Sequence, residues 1–324
     1  MRLIALFKVL DLFSGAGGFS EGFRQAGFRI VGGLDNMKAM GETFKANFPE
    51  ARFILADIQR VDARELIAEF GDVDIIIGGP PCEAFTAANF KRMPNPLDRL
   101  YKDPRGRLTL HFIRIIGDMK PKVFVMENVI QVAAGPLREA LRREFRRVGY
   151  LNIYFNVLRA EDYGTPSRRT RMFISNIKIR PRKMRRRVTV WEAIGDLPDP
   201  RTYHDIPNHE YVPLSRKKFK RVMRLRWGES LITFVGADGA AKHNYIRLRP
   251  DQVAPPVMGK SRFIHPFQDR LLTVREHARL MGFPDSFIFY GGRNTQFDQV
   301  GEAVPIPLGK AIGLVIKNYL EGSS

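Results

Sequence analysis

The single cysteine of this 324-residue chain, Cys82, is the first residue whose type and setting could do chemistry. It follows an apolar run at residues 75–77 and the sequence Gly-Gly-Pro-Pro at residues 78–81. A thiolate attacks well and can leave again, so a cysteine in this setting suits covalent catalysis. The alternative is a small buried hydrophobe, which is the usual fate of a free cysteine. The two prolines favour the first interpretation, because they stiffen the backbone and hold the thiol beyond the predicted strand end.

A carboxylate and two arginines are the next candidates. Glu127 follows a predicted strand at residues 122–126. An unpaired charge would be costly there, so a partner is expected. The alternative is a structural glutamate that neighbouring backbone N–H groups satisfy.

Arg169 and Arg171 alternate along the chain and would point to one face of a strand. Two guanidinium groups on one face suit a phosphate or the carbonyl edge of a base, whereas the alternative is a pair of exposed surface arginines.

A glycine-rich turn at residues 14–18 follows a predicted strand at residues 8–13 and precedes a helix that runs towards Gln25 and Ala26. Such glycines let the backbone approach a ligand, and the helix amino terminus favours polar or anionic groups. The spacing differs from the dinucleotide pattern GxGxxG, so a nicotinamide cofactor is not indicated. Asp35 follows about 20 residues later, where a carboxylate suits ribose hydroxyls. The alternative for Asp35 is an aspartate in a surface turn.

The candidates lie at the ends of strands in a chain that alternates strand and helix. Further strands are predicted at residues 28–34, 52–56, 73–77, 150–158 and 172–176, and helices at residues 38–47, 63–70, 108–119 and 136–148. This alternation predicts an α/β fold whose parallel strands carry the site at their carboxyl ends. The polar, basic stretch at residues 89–107 is predicted to be a mobile lid that meets phosphates.

The charge of the chain is one-sided. There are 53 Lys and Arg against 34 Asp and Glu, which gives a net charge of +19. The excess predicts a polyanionic partner, most simply nucleic acid, because a heat-adapted surface usually carries both signs in balance. Basic runs at residues 180–187 and 215–226, the second followed by Trp227, are predicted to track phosphates. The alternative for both runs is a solvated face.

Cysteine usage and hydropathy set further limits. One cysteine excludes an internal disulfide and a cysteine-rich zinc site. No apolar run is expected to reach membrane-spanning length, so a soluble, cytoplasmic protein is predicted.

Near the end of the chain, Thr273 and Glu276 predict a capping box, with a helix that stops at residues 282–284. A last helix is predicted to pass through Ile312 and Ile316.

Six segments, taken in chain order, resemble motifs of the cytosine-C5 methyltransferases. They are residues 11–18, 79–86, 127–129, 169–171, 270–284 and 301–304. The resemblance implies a Rossmann-like, S-adenosylmethionine-dependent methyltransferase sheet with helices on both faces, plus a smaller target-recognition domain. It places the catalytic domain at residues 1–187 and 300–324, and the recognition domain with its hinge at residues 188–299. The chain departs from the family pattern at Glu83 and Ser167, which usually are Gln, and at Glu302, which usually is Asn.

The resemblance also implies a role for each candidate in a DNA (cytosine-5-)-methyltransferase. Cys82 would add to carbon 6 of a flipped-out cytosine and Glu127 would hold N3 and the amino group. Arg169 would grip the ring carbonyl, and Arg171 is the other catalytic arginine. The implied cofactor is S-adenosylmethionine, without a metal. Its predicted contacts are Phe13, Ser14, Gly15, Ala16, Gly17, Gly18, Asp35, Asn36, Asp57, Ile58, Gly79, Pro80, Leu108, Glu302 and Ala303.

The implied partner is double-stranded DNA, bound by a monomer at a specific sequence, and the presence of a separate cognate restriction endonuclease is left open. Two other functions remain open as well. One is a tRNA cytosine-5 methyltransferase of the same fold, whose sequence the Phe-Thr pair at residues 85–86 resembles. The other is a catalytically silent nucleic-acid-binding protein, against which the joint presence of Cys82, Glu127 and Arg169 argues. Methyl incorporation into DNA or RNA distinguishes the three.

Overall fold

The structure is a computed structural model of the chain, and it describes residues 6–87, 89–236 and 239–322. The chain forms two compact units. The first comprises the residues up to Arg159, Thr170–Arg182 and the residues from Gly309 onwards, and the second comprises Ala160–Arg169 and Lys183–Leu308. These bounds differ from the predicted ones by short segments, and the assignment of target recognition to residues 188–299 stays a prediction.

A seven-stranded mixed sheet forms the centre of the first unit. Its strands are β1 (Lys8–Leu12), β2 (Arg29–Asp35), β3 (Arg52–Leu55), β4 (Ile75–Gly78), β5 (Val123–Asn128), β6 (Tyr154–Arg159) and β7 (Thr170–Ser175). The spatial order is β3-β2-β1-β4-β5-β7-β6, and β7 runs antiparallel to both β5 and β6 while the other pairs are parallel. The α/β prediction is therefore confirmed, and the strand order reverses between β1 and β4.

Helices connect the strands of the first unit. They are α1 (Gly18–Gln25), α2 (Lys38–Asn47), α3 (Ala63–Phe70), α4 (Pro96–Tyr101), α5 (Pro104–Met119) and α6 (Pro136–Arg147). The bounds of α2 and α3 match the sequence prediction residue for residue. The central strands β4 and β5 are buried almost throughout, as expected for parallel strands covered on both faces.

The second half of the stretch at residues 89–107, which is predicted to be a mobile lid, is helical, and its mobility and its contact with phosphates stay predictions. The side chains of Asn95 and Asp103 accept hydrogen bonds from the backbone N–H groups of Leu97 and Arg105, and each cap is followed by a proline at the first helical position. Asn-Pro and Asp-Pro are local helix-start signals. The prediction of a lid at residues 89–107 rests on the polar and basic character of that stretch and does not use these helix-start signals.

The second unit contains a small three-stranded sheet in the order β10-β9-β8. Its strands are β8 (Ser230–Val235), β9 (Ala241–Arg247) and β10 (Phe263–Ile264), and its helices include α7 (Val190–Ile194), α8 (Arg216–Val222), α9 (Val274–Leu280) and α10 (Arg293–Glu302). The predicted capping box is confirmed, since Thr273 and Glu276 exchange side chain to backbone hydrogen bonds of 2.7 and 3.2 Å. Glu276 also forms a buried ion pair of 2.7 Å with Arg270, which fixes the start of α9.

The last helix, α11 (Ile306–Leu320), passes through Ile312 and Ile316 as predicted, and both side chains are fully buried. In the described part of the chain, the helical segment Arg293–Leu320, which includes α10 and α11, is long enough and apolar enough to cross a membrane by length and composition alone. Its most apolar 18-residue window has a mean hydropathy of 1.2. The sequence interpretation did not anticipate it. Since 61% of that window is buried inside the protein, the stretch has the environment of a core helix.

Candidate active site

The predicted site residues of the first unit follow the carboxyl ends of five neighbouring parallel strands. Across the sheet, Asp57 follows β3, Asp35 ends β2, the glycine turn follows β1, Cys82 follows β4 and Glu127 lies near the end of β5. The strand order reverses between β1 and β4, and ligands of open α/β sheets bind at such a reversal. The topology therefore brings to one sheet edge residues that lie far apart in the chain.

The turn after β1 has an unusual backbone. Phe13, Gly15 and Gly17 have φ angles of 61°, 52° and 93°, all in the left-handed region. A non-glycine residue rarely adopts this conformation, and it persists where the surrounding structure enforces it, often at functional sites. A Cβ on Gly17 would lie 2.5 Å from the Phe48 ring, whereas a Cβ on Gly15 would meet no atom within 4 Å. The turn is thus packed on one side and open on the other, where a ligand can approach the backbone.

Asp35 binds this turn directly. Its carboxylate oxygens accept hydrogen bonds of 3.0 Å from the backbone N–H groups of Gly15 and Met37. Burial raises the pKa of Asp35 above its usual value, against the lowering effect of these hydrogen bonds. A carboxylate held beside an open glycine turn suits the hydroxyls of a ribose, which donate hydrogen bonds to it.

Asp11, inside β1, is a residue that sequence reasoning missed. Its side chain is 1% exposed and accepts a hydrogen bond of 2.7 Å from Ser20 Oγ, which ties β1 to the first turn of α1. Burial raises the pKa of Asp11 to about 7, the Ser20 hydrogen bond lowers it, and the charge of Asp35 raises it further. The signal that could have found Asp11 is a single acid in the apolar run Val-Leu-Asp-Leu-Phe at residues 9–13.

Replacing Asp35 by alanine is expected to weaken S-adenosylmethionine binding by about tenfold to a hundredfold, the scale of losing hydrogen bonds to a charged group. The protein should stay folded, because the β2 ladder is unaffected. Isothermal titration calorimetry measures the affinity, and thermal unfolding measures the fold. Asp62→Ala is the matched control, since Asp62 also accepts a backbone N–H but caps α3. Equal affinities in the two variants would remove Asp35 from the cofactor site.

The turn after β4 places the nucleophile candidate. The Cys82 side chain is half-buried, and the Cys82 carbonyl accepts hydrogen bonds of 2.9 and 3.0 Å from the N–H groups of Phe85 and Thr86. Asn128 Nδ2 donates a buried hydrogen bond of 3.1 Å to the Pro80 carbonyl and so fastens this turn to the end of β5. In the sequence, Asn128 is visible only as part of the motif at residues 127–129, and no local signal indicates this contact with Pro80.

Glu127 lies against the same turn. A Cβ on Gly79 would be 3.2 Å from Glu127 Oε2, a tight contact that would push the carboxylate back by a few tenths of an ångström. Its other oxygen, Oε1, forms an ion pair of 2.9 Å with Arg171 Nε, and the two side chains are only 13% and 22% exposed. The partner expected for Glu127 is therefore Arg171, which lies on the neighbouring strand β7.

Arg169 has different surroundings, in the second unit. It is 6% exposed, and its guanidinium donates to the carbonyl oxygens of Val257, Gly301 and Glu302 at 3.1, 2.8 and 3.2 Å. The expectation that Arg169 and Arg171 act together on one face is not supported by these contacts, because β7 begins only at Thr170 and the two arginines have separate partners. Through these contacts Arg169 ties three backbone positions together, and its grip on a base carbonyl stays a prediction.

Three further predicted residues belong to the second unit. Ser167 is buried, and its Oγ donates a hydrogen bond of 2.7 Å to the Leu280 carbonyl, so the family departure at this position keeps a polar contact. Glu302 is exposed at the end of α10, and Ala303 is the C-terminal capping residue of that helix. Their cofactor contacts stay predictions.

The remaining candidates are placed in the first unit. Asp57 accepts a hydrogen bond of 3.0 Å from the backbone of Gln59, and the carbonyl of the buried Ile58 accepts one of 3.0 Å from Arg114. Asn36 is exposed beside Asp35, and Leu108 packs against the core from α5. Within the described ranges, no group of three or more His, Cys, Asp or Glu residues could hold a metal ion.

The seven-stranded sheet and its helices form a Rossmann-like fold of the kind found in methyltransferases. The chain belongs to the C-5 cytosine-specific DNA methylase family, whose family model matches residues 7–318. Its enzyme class is accordingly that of the DNA (cytosine-5-)-methyltransferases.

Individual relatives agree with this assignment. M.MJ0563P of Methanocaldococcus jannaschii, provisionally named a type II methyltransferase, is 46% identical over 319 residues, which cover 97% of this chain and 100% of that protein. The type II methyltransferase M.MthTI of Methanothermobacter thermautotrophicus is 33% identical and covers 97% and 98%. A crystal structure of a provisionally assigned DNA modification methyltransferase from an E. coli prophage shares the fold, with a TM-score of 0.80, 24% identity and coverage of 97% and 99%.

Proposed function

We propose that this enzyme transfers a methyl group from S-adenosylmethionine to carbon 5 of cytosine at a specific sequence in double-stranded DNA, through a covalent bond between Cys82 and carbon 6. The observation that carries the proposal is the convergence of the Cys82 turn and the Glu127–Arg171 pair, with Glu127 Oε2 against Gly79. Bisulfite sequencing of DNA incubated with the protein and S-adenosylmethionine tests it, and protected cytosines in one sequence context are expected. Methylation of RNA but not of DNA would instead support the tRNA alternative.

The residues of the first unit fit S-adenosylmethionine. The turn at residues 13–18 is open at Gly15, Asp35 can accept hydrogen bonds from ribose hydroxyls, and Asp57 lies at the end of the adjacent strand, where it would face the adenine amino group. The bound cofactor supplies an electrophilic methyl group. The chain's own task is to make carbon 5 of the base nucleophilic, because cytosine reacts poorly there.

Cys82 performs this activation in the proposed mechanism. Its thiolate forms a bond to carbon 6, and the electron pair of the C5–C6 double bond moves to carbon 5 and the ring. Glu127 accepts a hydrogen bond from the exocyclic amino group and shares a proton with N3, which offsets the negative charge that the thiolate brings to the ring. After methylation of carbon 5, loss of its proton returns an electron pair to the ring, the C6–S bond breaks and the double bond is restored.

In the proposed mechanism, Arg171 orients Glu127 and also holds the ring carbonyl, the role that the family resemblance gave to Arg169. Its guanidinium has five N–H donors, of which the contacts with Glu127 and the Thr170 carbonyl use two. A planar guanidinium on a mostly buried strand suits a carbonyl oxygen that gains charge. We therefore propose that Arg171, ahead of Arg169, makes the contact with the ring carbonyl.

The substrate and setting follow from this chemistry. Carbon 6 of a paired base cannot be reached inside a duplex, so the cytosine must be flipped out of the stack. Since the named relatives are type II methyltransferases, we propose that the enzyme modifies DNA as a monomer in the cytoplasm, in association with the nucleoid. A cognate restriction endonuclease would then act as a separate protein on the same sequence.

The two basic runs are expected to contribute unequally to DNA binding. In the first run, Lys183 and Arg187 pair with Asp162 at 2.9 and 3.1 Å, which neutralises part of its charge. In the second, Arg216, Lys217 and Lys220 are exposed on α8. Replacing these three by glutamine should reduce the slope of log Kd against log salt by about 0.9 for each phosphate that the variant no longer neutralises.

Fluorescence anisotropy with duplex DNA between about 50 and 200 mM salt measures this slope. The variant Lys183→Gln/Arg187→Gln is the comparison and should change the slope less. An unchanged slope in both variants would make the runs solvated surface only.

A further inference from the structure

A cavity of ≈ 480 Å³ lies within the second unit, between α8, β9 and the start of α10. Its walls include Lys218, Tyr245, Arg262, Arg293, Asn294 and Phe297. Three of these side chains are cationic, and none of the described lining residues is acidic. The volume is in the range of small-ligand sites, and the charge predicts an anionic occupant.

Lys218 differs from the other cations of α8. Arg216, Lys217 and Lys220 are exposed, whereas Lys218 is half-buried and lines the cavity. Its ammonium group lies 3.1 Å from the Tyr245 hydroxyl and 4.6 Å from the centre of the Tyr245 ring. No carboxylate pairs with it in the part of the chain that the structure describes. An ammonium that is partly desolvated and held only by neutral groups can gain much from an anion.

Tyr245 has a strained backbone inside β9, with a φ of 55°. Asn244 Oδ1 stabilises this conformation by accepting hydrogen bonds of 2.9 and 2.8 Å from the backbone N–H groups of Tyr245 and Arg262. Strain of this kind persists where neighbouring groups enforce it, and it is common at binding sites. One asparagine side chain therefore joins two residues of the cavity wall.

Arg262 is fixed by neutral groups as well. Its guanidinium stacks 3.8 Å from the centre of the Phe297 ring and donates to Gly259 O, Ser261 O and Asn294 Oδ1 at 2.8–3.0 Å. Burial lowers the pKa of Arg262, and the charge of Asp298 raises it. Arg293 is the first residue of α10, so the amino end of a ten-residue helix adds partial positive charge to the same wall.

We propose that this cavity binds a phosphate of the DNA backbone. The inference rests on the proposed function, since it assigns one fixed backbone contact of the DNA substrate to the second unit. Cations from three separate parts of the chain line one space, which suits a phosphate with several acceptor oxygens, and the aromatic wall suits the adjoining sugar. Such a contact carries no sequence information itself but fixes the position of the unit along the duplex.

The test compares two variants of equal charge, Lys218→Gln/Arg293→Gln in the cavity and Lys217→Gln/Lys220→Gln on the exposed side of α8. Each is titrated by fluorescence anisotropy against target duplexes that carry one neutral methylphosphonate at successive backbone positions. In the wild type and in the exposed-side variant, a methylphosphonate at the position that the cavity binds should weaken binding by about tenfold or more, the scale of a hydrogen bond to a charged group. In the cavity variant, the same substitution should have no further effect. Positions that face Lys217 or Lys220 should lose their effect only in the exposed-side variant.

Three controls make the outcomes separable. Thermal unfolding and S-adenosylmethionine binding check the fold, and Arg293→Gln alone, at an exposed residue, repeats the test if the double variant unfolds. If the wild type and both variants showed the same dependence of DNA affinity on methylphosphonate position, the inference would be wrong. It would also be wrong if the cavity bound free cytidine 5′-monophosphate instead: the cavity variant alone would then lose saturable binding of this nucleotide, and its methylphosphonate pattern would match that of the wild type. A wild type that does not methylate DNA would contradict the proposed function itself, and this inference with it.

Discussion

Replacing Cys82 by serine is expected to lower methyl transfer to DNA by at least about 10⁴-fold, the scale of losing a catalytic nucleophile. A serine hydroxyl is almost un-ionised near neutral pH, so the bond to carbon 6 does not form. Binding of DNA and cofactor should persist, because the change is nearly isosteric and the Cys82 backbone holds the turn through Phe85 and Thr86. Tritium transfer from labelled S-adenosylmethionine and anisotropy measure the two quantities separately.

The covalent step has a direct readout. DNA with 5-fluorocytosine at the target should trap the wild type in a complex that survives denaturing gels, because fluorine cannot leave carbon 5 as a proton does. Cys82→Ser should form no such complex. The RNA alternative predicts trapping on fluorinated RNA only, and a silent binding protein predicts none on either. Full methylation by Cys82→Ser would show that the proposed mechanism is wrong.

The second large effect is expected at Glu127. Glu127→Gln should reduce kcat and the rate of adduct formation by about 10²–10³-fold, because an amide cannot give N3 the proton that offsets the negative charge of the activated base. It also replaces a mostly buried, charge-assisted contact with Arg171 by a weaker one. Single-turnover kinetics with saturating cofactor measure the chemical step.

Glu144→Gln is the matched control for Glu127. Glu144 belongs to α6 in the same unit and is also paired, with Arg147 at 2.9 Å and the Tyr101 hydroxyl at 2.7 Å. Its replacement should leave the rate within about twofold, since its partners Arg147 and Tyr101 are not residues of the candidate active site. Because Glu127 and Arg171 act as one unit, Glu127→Gln/Arg171→Gln should be little slower than the slower single variant. Equal rates for Glu127→Gln and Glu144→Gln would remove Glu127 from the mechanism.

Local patterns in the sequence predicted much of the first unit. The predicted bounds of α2 and α3 agree with the structure to the residue, and the Asp62 cap that the structure shows at α3 is a local feature of the chain. Cys82 and the glycine turn were found for a similar reason, since glycines and prolines at a strand end mark a turn whatever the rest of the chain does. The helix starts at Asn95 and Asp103 have local signals of the same kind, since each capping residue is followed by a proline, although the prediction for that stretch rests on its charge.

The sequence by itself thus determined the alternation of strands and helices, the turns that carry Cys82 and the glycines, and the family motifs. Only the tertiary structure decided which side chains meet. Glu127 pairs with Arg171 on a neighbouring strand, Asn128 fastens the turn at Pro80 48 residues away, and Arg169 reaches Gly301 132 residues away. The cavity around Lys218 likewise joins residues from three elements. Such contacts depend on strand order and register, which arise from packing across the whole unit, so no local propensity encodes them.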